Sequence, residues 1–258
     1  NTDPNATYSL SGQDVVVGSV DITITTITNG TCAANSDVIT LTVQPVPNIF
    51  AGQDVIACSA DPIQLAASTV NSTGGIAIPP LLSKLGVNTV EKLYCEPNGL
   101  FPHNPEPLAE HLTALSNLMR SKDLDLGIVV DPDVDRLAFV CEDGSMFGEE
   151  YTLVACADYV LSRTPGNTVS NMSSTRALRD VTEKYGGTYE ASAVGEVNVV
   201  KLMKKNKVVI GGEGNGGIIY PESHYGRDAL VGVALFLSLL ADKQISVSAL
   251  RKTYPNYF

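Results

Sequence analysis

"DLGIVVDPDVDRLAFVCEDG", residues 125–144, sets an acidic turn between two apolar runs. "GIVV" and "LAFV" are short and bounded by turn-forming residues, the pattern of buried strands. Between them Asp131, Asp133 and Asp135 occupy alternate positions. Three carboxylates so close repel one another unless a cation offsets the charge. A backbone that turns between them brings all three onto one hard divalent ion such as Mg²⁺. A solvated acidic turn is the other reading the spacing allows. An EF-hand is a third, since counting from Asp131 puts Glu142 at position 12, but Arg136 stands at position 6, where the loop needs Gly, and the flanks are strands rather than helices.

Working outward, strands alternate with helical periodicity from about residue 70 to the end, the grammar of sheets covered by helices. "NSTGG" (71–75) is expected to be a turn, "PPLLSKLG" a helix and "TVEKLYCEP" a strand. In "PEPLAEHLTALSNLMRSK", Leu108, Leu112, Leu115 and Leu118 fall on one helical face. After the acidic loop come helices over 151–162 and 175–185, the second closed by Gly186 and Gly187, then the strand "KVVIGG" and a long apolar helix from near Asp228. The expected fold class is α/β: two consecutive α/β domains with mixed or parallel sheets, 71–148 and 149–258.

Residues 1–70 differ in kind, with six Asp but no Glu, Lys or Arg; the first basic residue is Lys84. "VDITITTIT" and "DVITLTVQPVP" alternate β-branched and polar residues, as short antiparallel strands do. "NGTCAANSDVITLTV" and "AGQDVIACSADPIQL" resemble the end and the beginning of Ig-like repeats of secreted bacterial surface proteins. That resemblance implies an incomplete all-β Ig-like segment over 1–70, in which Cys32 and Cys58 belong to successive repeats and pair with each other if the segment is exported.

The net charge of −11 and the lack of a Lys/Arg cluster argue against a nucleic-acid or anionic-membrane partner. The longest apolar run, "ALVGVALFLSLLA" at 229–241, has 13 residues and is too short for a membrane span. The start, "NTDPNATYSL", has no basic region or apolar core of a signal peptide, which suggests a chain that begins mid-gene or is processed. Cys95, Cys141 and Cys156 lie in apolar α/β context and are expected to be reduced and buried.

"GGEGNGG" (211–217) contains a literal GxGxxG, but "IIYPE" follows where a dinucleotide fold opens a helix. Its glycines admit close approach of a ligand, with Glu213 and Asn215 available to hydrogen-bond sugar hydroxyls; a tight turn without ligand is the alternative. His103 in "FPHNPEP" is expected to be structural.

"DPDVDR", then "GGEGNGG" about 80 residues later, then "GRDAL", resemble the α-D-phosphohexomutase family, with its DGDGDR-type metal loop and GEESGH-type sugar loop. The resemblance covers residues 71–258 and implies the family's second and third domains. It implies Asp131, Asp133 and Asp135 as Mg²⁺ ligands, Arg136 as the cation beside the transferring phosphoryl group, and Glu213 and Asn215 as readers of the sugar. Gly195 and Glu196 of "VGE" (194–196) match a further substrate-facing loop. Pro132 and Val134 replace common glycines, implying a stiffer loop, and Gly217 stands where His is common. "DPIQLAAST" stands where the family has its first strand of the second domain, which is expected to be replaced. The "GEGNGG" form is similar to the phosphoglucosamine mutase branch.

The resemblance implies interconversion of hexose or hexosamine 6-phosphate and 1-phosphate through a bisphosphate, with Mg²⁺ as cofactor and a cytoplasmic setting for this part. No TASHNP-type phosphoserine loop or RxSGTEP-type phosphate-gripping loop occurs, so little or no turnover is expected from this chain alone. A surface module that captures sugar phosphates is the alternative, and an unnatural join of two coding segments near residues 68–72 is another.

Overall fold

The computed structural model describes residues 19–25, 35–42 and 63–257, with Ser9, Ser11, Gln13 and Val17. It contains two compact units, Asn1–Asn48 and Ile49–Phe258. In the first, β1 (Ser19–Thr25) pairs antiparallel with β2 (Ser36–Thr42), with Ser19 opposite Thr42. Cross-strand polar pairs, Thr40 Oγ1 to Asp21 Oδ1 at 2.6 Å and Thr25 to Ser36 at 2.8 Å, decorate this ribbon. Cys32, Cys58 and the rest of the expected Ig-like strands lie outside the described residues.

The second unit holds two four-stranded sheets built on one plan. The first has the order β4 (Thr89–Leu93), β3 (Gln64–Ser68), β5 (Leu126–Val130), β6 (Leu137–Cys141). The second has the order β10 (Gly217–Ile219), β9 (Ile210–Glu213), β7 (Thr168–Asn171), β8 (Tyr189–Ser192). In each, three parallel strands are followed by one antiparallel edge strand, and the turn into that edge strand carries a singled-out motif. The mixed α/β architecture is therefore as expected, and "GGEGNGG" is a β-hairpin turn rather than a strand-to-helix fingerprint.

The first α/β sheet starts earlier than the sequence suggests. "QLAAS" supplies β3, a central strand parallel to both β4 and β5, so the family's first strand is present rather than replaced and the expected boundary at residue 70 falls after it. Leu65, Ala66, Ala67 and Ser68 are all buried. A strand covered on both faces shows no alternation, and its small alanines give little apolar signal. Helix α1 (Gly74–Lys84) begins inside the expected turn, and Pro79 and Pro80 sit within it instead of opening it. A Cβ on Gly75 would lie 2.2 Å from the Cys95 carbonyl oxygen, so this glycine serves close helix–sheet packing.

The amphipathic segment after Pro107 is a 3₁₀ turn (Ala109–His111) followed by α2 (Thr113–Ser121). Leu112, Leu115 and Met119 fill the core, while Leu108 precedes the helix and Leu118 is half-buried. The second module adds α3 (Glu149–Arg163), α4 (Ala177–Lys184), α5 (Glu196–Asn206), α6 (Ala229–Lys243) and α7 (Val247–Lys252). Strand β8 and helix α5 were not anticipated; "YEAS" is half-exposed at the sheet edge, and α5 buries little beyond Val199 and Met203.

Both modules share one core. Phe139 of β6 stacks on Phe236 of α6 with centroids 3.8 Å apart, and Phe147 meets Phe236 edge-on at 5.1 Å. Helix α6, apolar on nearly every side, also packs on α3, where the buried Cys156 thiol donates to the Gly232 carbonyl at 3.5 Å. Among the described residues no helix is long and apolar enough to cross a membrane.

Candidate functional site

The acidic loop turns on itself between β5 and β6. The Val134 N–H donates to the Asp131 carbonyl at 3.2 Å, and Val134 adopts φ +62°, a left-handed conformation that costs a β-branched residue steric strain. Val134 stands where the resembled loop has glycine, so the turn survives the substitution at the cost of strain. Ser72 and Thr73 hydroxyls both donate to the Pro132 carbonyl, at 2.5 and 2.7 Å, tying the loop to the start of α1.

This turn brings carboxylate oxygens of Asp131, Asp133 and Asp135 within 4.8 Å of one another. Their environments differ. Asp131 is fully buried; its Oδ1 accepts from the amides of Asp135 and Arg136 at 3.1 and 3.0 Å, and its Oδ2 from Arg136 Nε at 3.0 Å. Asp133 is exposed. Asp135 is half-buried, and its Oδ1 is a buried atom without a hydrogen-bond donor among the described residues, 3.8 Å from Arg136 Nε. Burial, then the Asp131 charge, pushes its carboxyl up to about 6 against the pull of Arg227. Clustered hard oxygen donors with one buried oxygen unpartnered fit a divalent cation of the Mg²⁺ class. For Arg136, burial opposes the charge, but the adjacent Asp131 carboxylate outweighs it and holds the guanidinium above its ordinary value.

The Gly-rich hairpin meets this loop directly. The Leu137 amide at the start of β6 donates to the Gly216 carbonyl at 3.1 Å. Gly216 has φ +86°, and a Cβ there would lie 2.2 Å from the Leu137 oxygen, so only glycine fits. Glu213, 5% exposed, accepts from Asn171 Nδ2 at 2.9 Å and the Gly195 amide at 3.2 Å on Oε1, and from Arg227 at 3.1 Å on Oε2. Asn215 is exposed at the tip of the hairpin, its Oδ1 accepting from the Gly217 amide at 3.2 Å. Gly195 caps α5, and Glu196 opens that helix.

Arg227, from "GRDAL", is the residue that sequence reasoning left without a role. Its guanidinium pairs with Asp135 Oδ2, with Glu213 Oε2 at 3.1 Å and with Glu196 Oε2 at 3.4 Å. One side chain thus joins the acidic loop, the Gly-rich hairpin and the start of α5. The available signal was an arginine just before the N-cap of a buried helix, in a chain whose candidate site was otherwise almost wholly acidic. His103, by contrast, donates from Nδ1 to the Asn104 carbonyl at 2.7 Å and packs edge-on to Tyr94, a structural placement.

The family model "Phosphoglucomutase/phosphomannomutase, alpha/beta/alpha domain II" matches residues 48–144, and that for domain III matches residues 148–257. A probable phosphoglucosamine mutase of Methanopyrus kandleri is 30% identical over 206 residues, covering 79% of this chain and 45% of the relative. A phosphoglucomutase/phosphomannomutase of Thermococcus kodakarensis is 31% identical over 196 residues, covering 75% and 43%. The crystal structure of a phosphoglucomutase/phosphomannomutase family protein from Burkholderia thailandensis superposes with a TM-score of 0.70 at 28% identity, covering 77% of this chain and 44% of that one. The chain spans less than half the length of these relatives. Through residues 48–257 it belongs to the phosphoglucomutase/phosphomannomutase family, whose second and third α/β/α domains it carries.

Proposed function

We propose that residues 48–257 form the metal- and sugar-recognising half of a phosphohexomutase of the phosphoglucosamine mutase-like branch, acting on hexose or hexosamine phosphates. The observation that carries this reading is the meeting of the Asp131–Asp133–Asp135 loop with the Glu213 hairpin through Arg227. The three aspartates would hold Mg²⁺, which when bound supplies charge neutralisation at a transferring phosphoryl group. Arg136, locked by Asp131, presents a fixed positive charge beside them. Glu213 is occupied by three protein donors, so its role is to position the hairpin and Arg227, leaving Asn215 at the exposed tip as the side chain that meets sugar hydroxyls.

The test is calorimetric titration of the purified chain with a hexosamine phosphate, with and without Mg²⁺, beside a coupled mutase assay with the same sugar and its bisphosphate, with Asp133→Ala as control in both. Motifs for a phosphoryl-carrying serine are not among these residues, so the expected result is specific binding of the sugar phosphate without turnover. Turnover that disappears in the control would reveal a nucleophile within the chain. Absence of Mg²⁺-dependent sugar-phosphate binding would sink the reading.

A further inference from the structure

We infer that Arg227 is the internal counter-ion of the acidic loop: it holds Asp135 until a divalent cation displaces it, and it then remains on Glu213 and Glu196. This rests on the metal-binding reading above and adds to it a device that sets how tightly the metal is held.

The site has a marked excess of negative charge. Among the described residues, Asp131, Asp133, Asp135, Glu196 and Glu213 find cationic partners only in Arg136 and Arg227, and Arg136 is shared with Glu106. Arg136 donates to Asp131 twice, from its amide and from Nε, both at 3.0 Å, and its guanidinium also lies 3.5 Å from Glu106 and 3.8 Å from Asp135 Oδ1. Arg227 is shared: only one of its three ion pairs is to the acidic loop, so releasing Asp135 leaves two partners in place. Asp135 in turn pairs with Arg227 through Oδ2, while its buried Oδ1 has no hydrogen-bond donor among the described residues and only a 3.8 Å approach from Arg136 Nε, so a cation held by the loop competes with Arg227 for this carboxylate.

The seat of Arg227 depends on Gly217. A Cβ at that position would lie 2.4 Å from Arg227 Cδ and 3.1 Å from Cγ. The side chain crosses directly over the glycine at the point where the resembled sugar loop commonly carries His. The glycine and the arginine are two halves of one arrangement, because a side chain at 217 would force the stem of Arg227 to move.

A counter-ion and a structural brace predict opposite signs. If Arg227 merely braces the loops, removing it loosens Asp135 and weakens metal binding. If it competes with the metal, removing it strengthens binding. Removing the guanidinium restores one full carboxylate charge to the loop and takes away a positive charge beside the incoming cation, so at the screening of a partly exposed site the expected gain is about tenfold.

The experiment is titration of the full chain with Mn²⁺, followed by electron paramagnetic resonance of the free ion, with folding of each variant checked by thermal melting. Arg227→Met is expected to bind about tenfold more tightly than the parent. Gly217→Ala keeps the charge but displaces the side chain, so it shifts in the same direction and serves if Arg227→Met does not fold. Asp133→Asn is expected to lose binding. Parent-level or weaker binding in Arg227→Met and Gly217→Ala, with Asp133→Asn inactive, overturns the counter-ion role and leaves the metal reading intact. Failure of every protein to bind Mn²⁺, or unchanged binding in Asp133→Asn, overturns the metal reading and this inference with it.

Discussion

The Ala229 amide, the first in α6, donates to the Val134 carbonyl at 3.0 Å, so the long buried helix is fastened at its N-terminus to the acidic loop. Asp228 caps the same helix, accepting from the amides of Leu230 and Val231 at 2.8 and 3.2 Å. Asp228→Ala is therefore expected to cost about 1–2 kcal/mol, as loss of a good N-cap does. Because the frayed turn is the one that holds Val134, Mn²⁺ affinity should fall with it. Urea denaturation and metal titration of the same variant check both, and an unchanged affinity would show that the Val134 tie is idle.

Asp131 and Asp133 look alike in sequence but should behave differently. Asp131→Ala removes the acceptor for three N–H donors and leaves Arg136 without its closest partner, an expected loss of about 2–3 kcal/mol in addition to metal binding. Asp133 is exposed, so Asp133→Ala should abolish metal binding while changing stability by less than about 0.5 kcal/mol. Equilibrium unfolding of the two variants separates the roles, and equal destabilisation would refute the distinction.

Glu142, at the end of β6, accepts from the Ser248 amide and hydroxyl at 3.0 and 2.5 Å, joining the first module to the start of α7. Burial raises its carboxyl, but these hydrogen bonds prevail and its value is lowered in the folded protein. A lowered folded value means stabilisation that is complete above the unfolded value and is lost as pH falls through the folded one. Parent and Glu142→Gln should thus differ by a constant amount at neutral pH and converge in acid below about pH 4. Denaturation midpoints across that range are the measurement.

Cys156 is fully buried, and burial pushes its thiol far up; burial likewise pushes Cys141 up to about 11. Cys95 is raised less and is half-buried. Of these three, Cys95 is expected to react first with a disulfide reagent near pH 8, and Cys141 and Cys156 only after denaturation. Mass mapping of labelled peptides tests the order.

What could be read in advance follows from where each signal resides. The acidic loop and its flanking strands announce themselves because both lie within twenty residues of chain. Strand β3 does not, because "QLAAS" is buried on both faces and small, which removes alternation and bulk together. The start of α1 was hidden by glycines whose purpose is close contact with Cys95, and by prolines that the helix accommodates in its interior. Arg227 was hardest, since its meaning lies in carboxylates 14, 31 and 92 residues away that only the fold assembles.

The bond from Leu137 to Gly216 fixes more than a seam. It runs between main chains, at a position that tolerates no side chain, and joins the two hairpins close to their tips. The separation between the Asp131–Asp133–Asp135 loop and the Asn215 tip is consequently constrained by the fold itself. On the function proposed above, the pair of hairpins would act as a gauge, selecting ligands by the span from phosphoryl group to ring hydroxyl. Bulk added to the sugar away from that span should be tolerated much better than a change in the span itself.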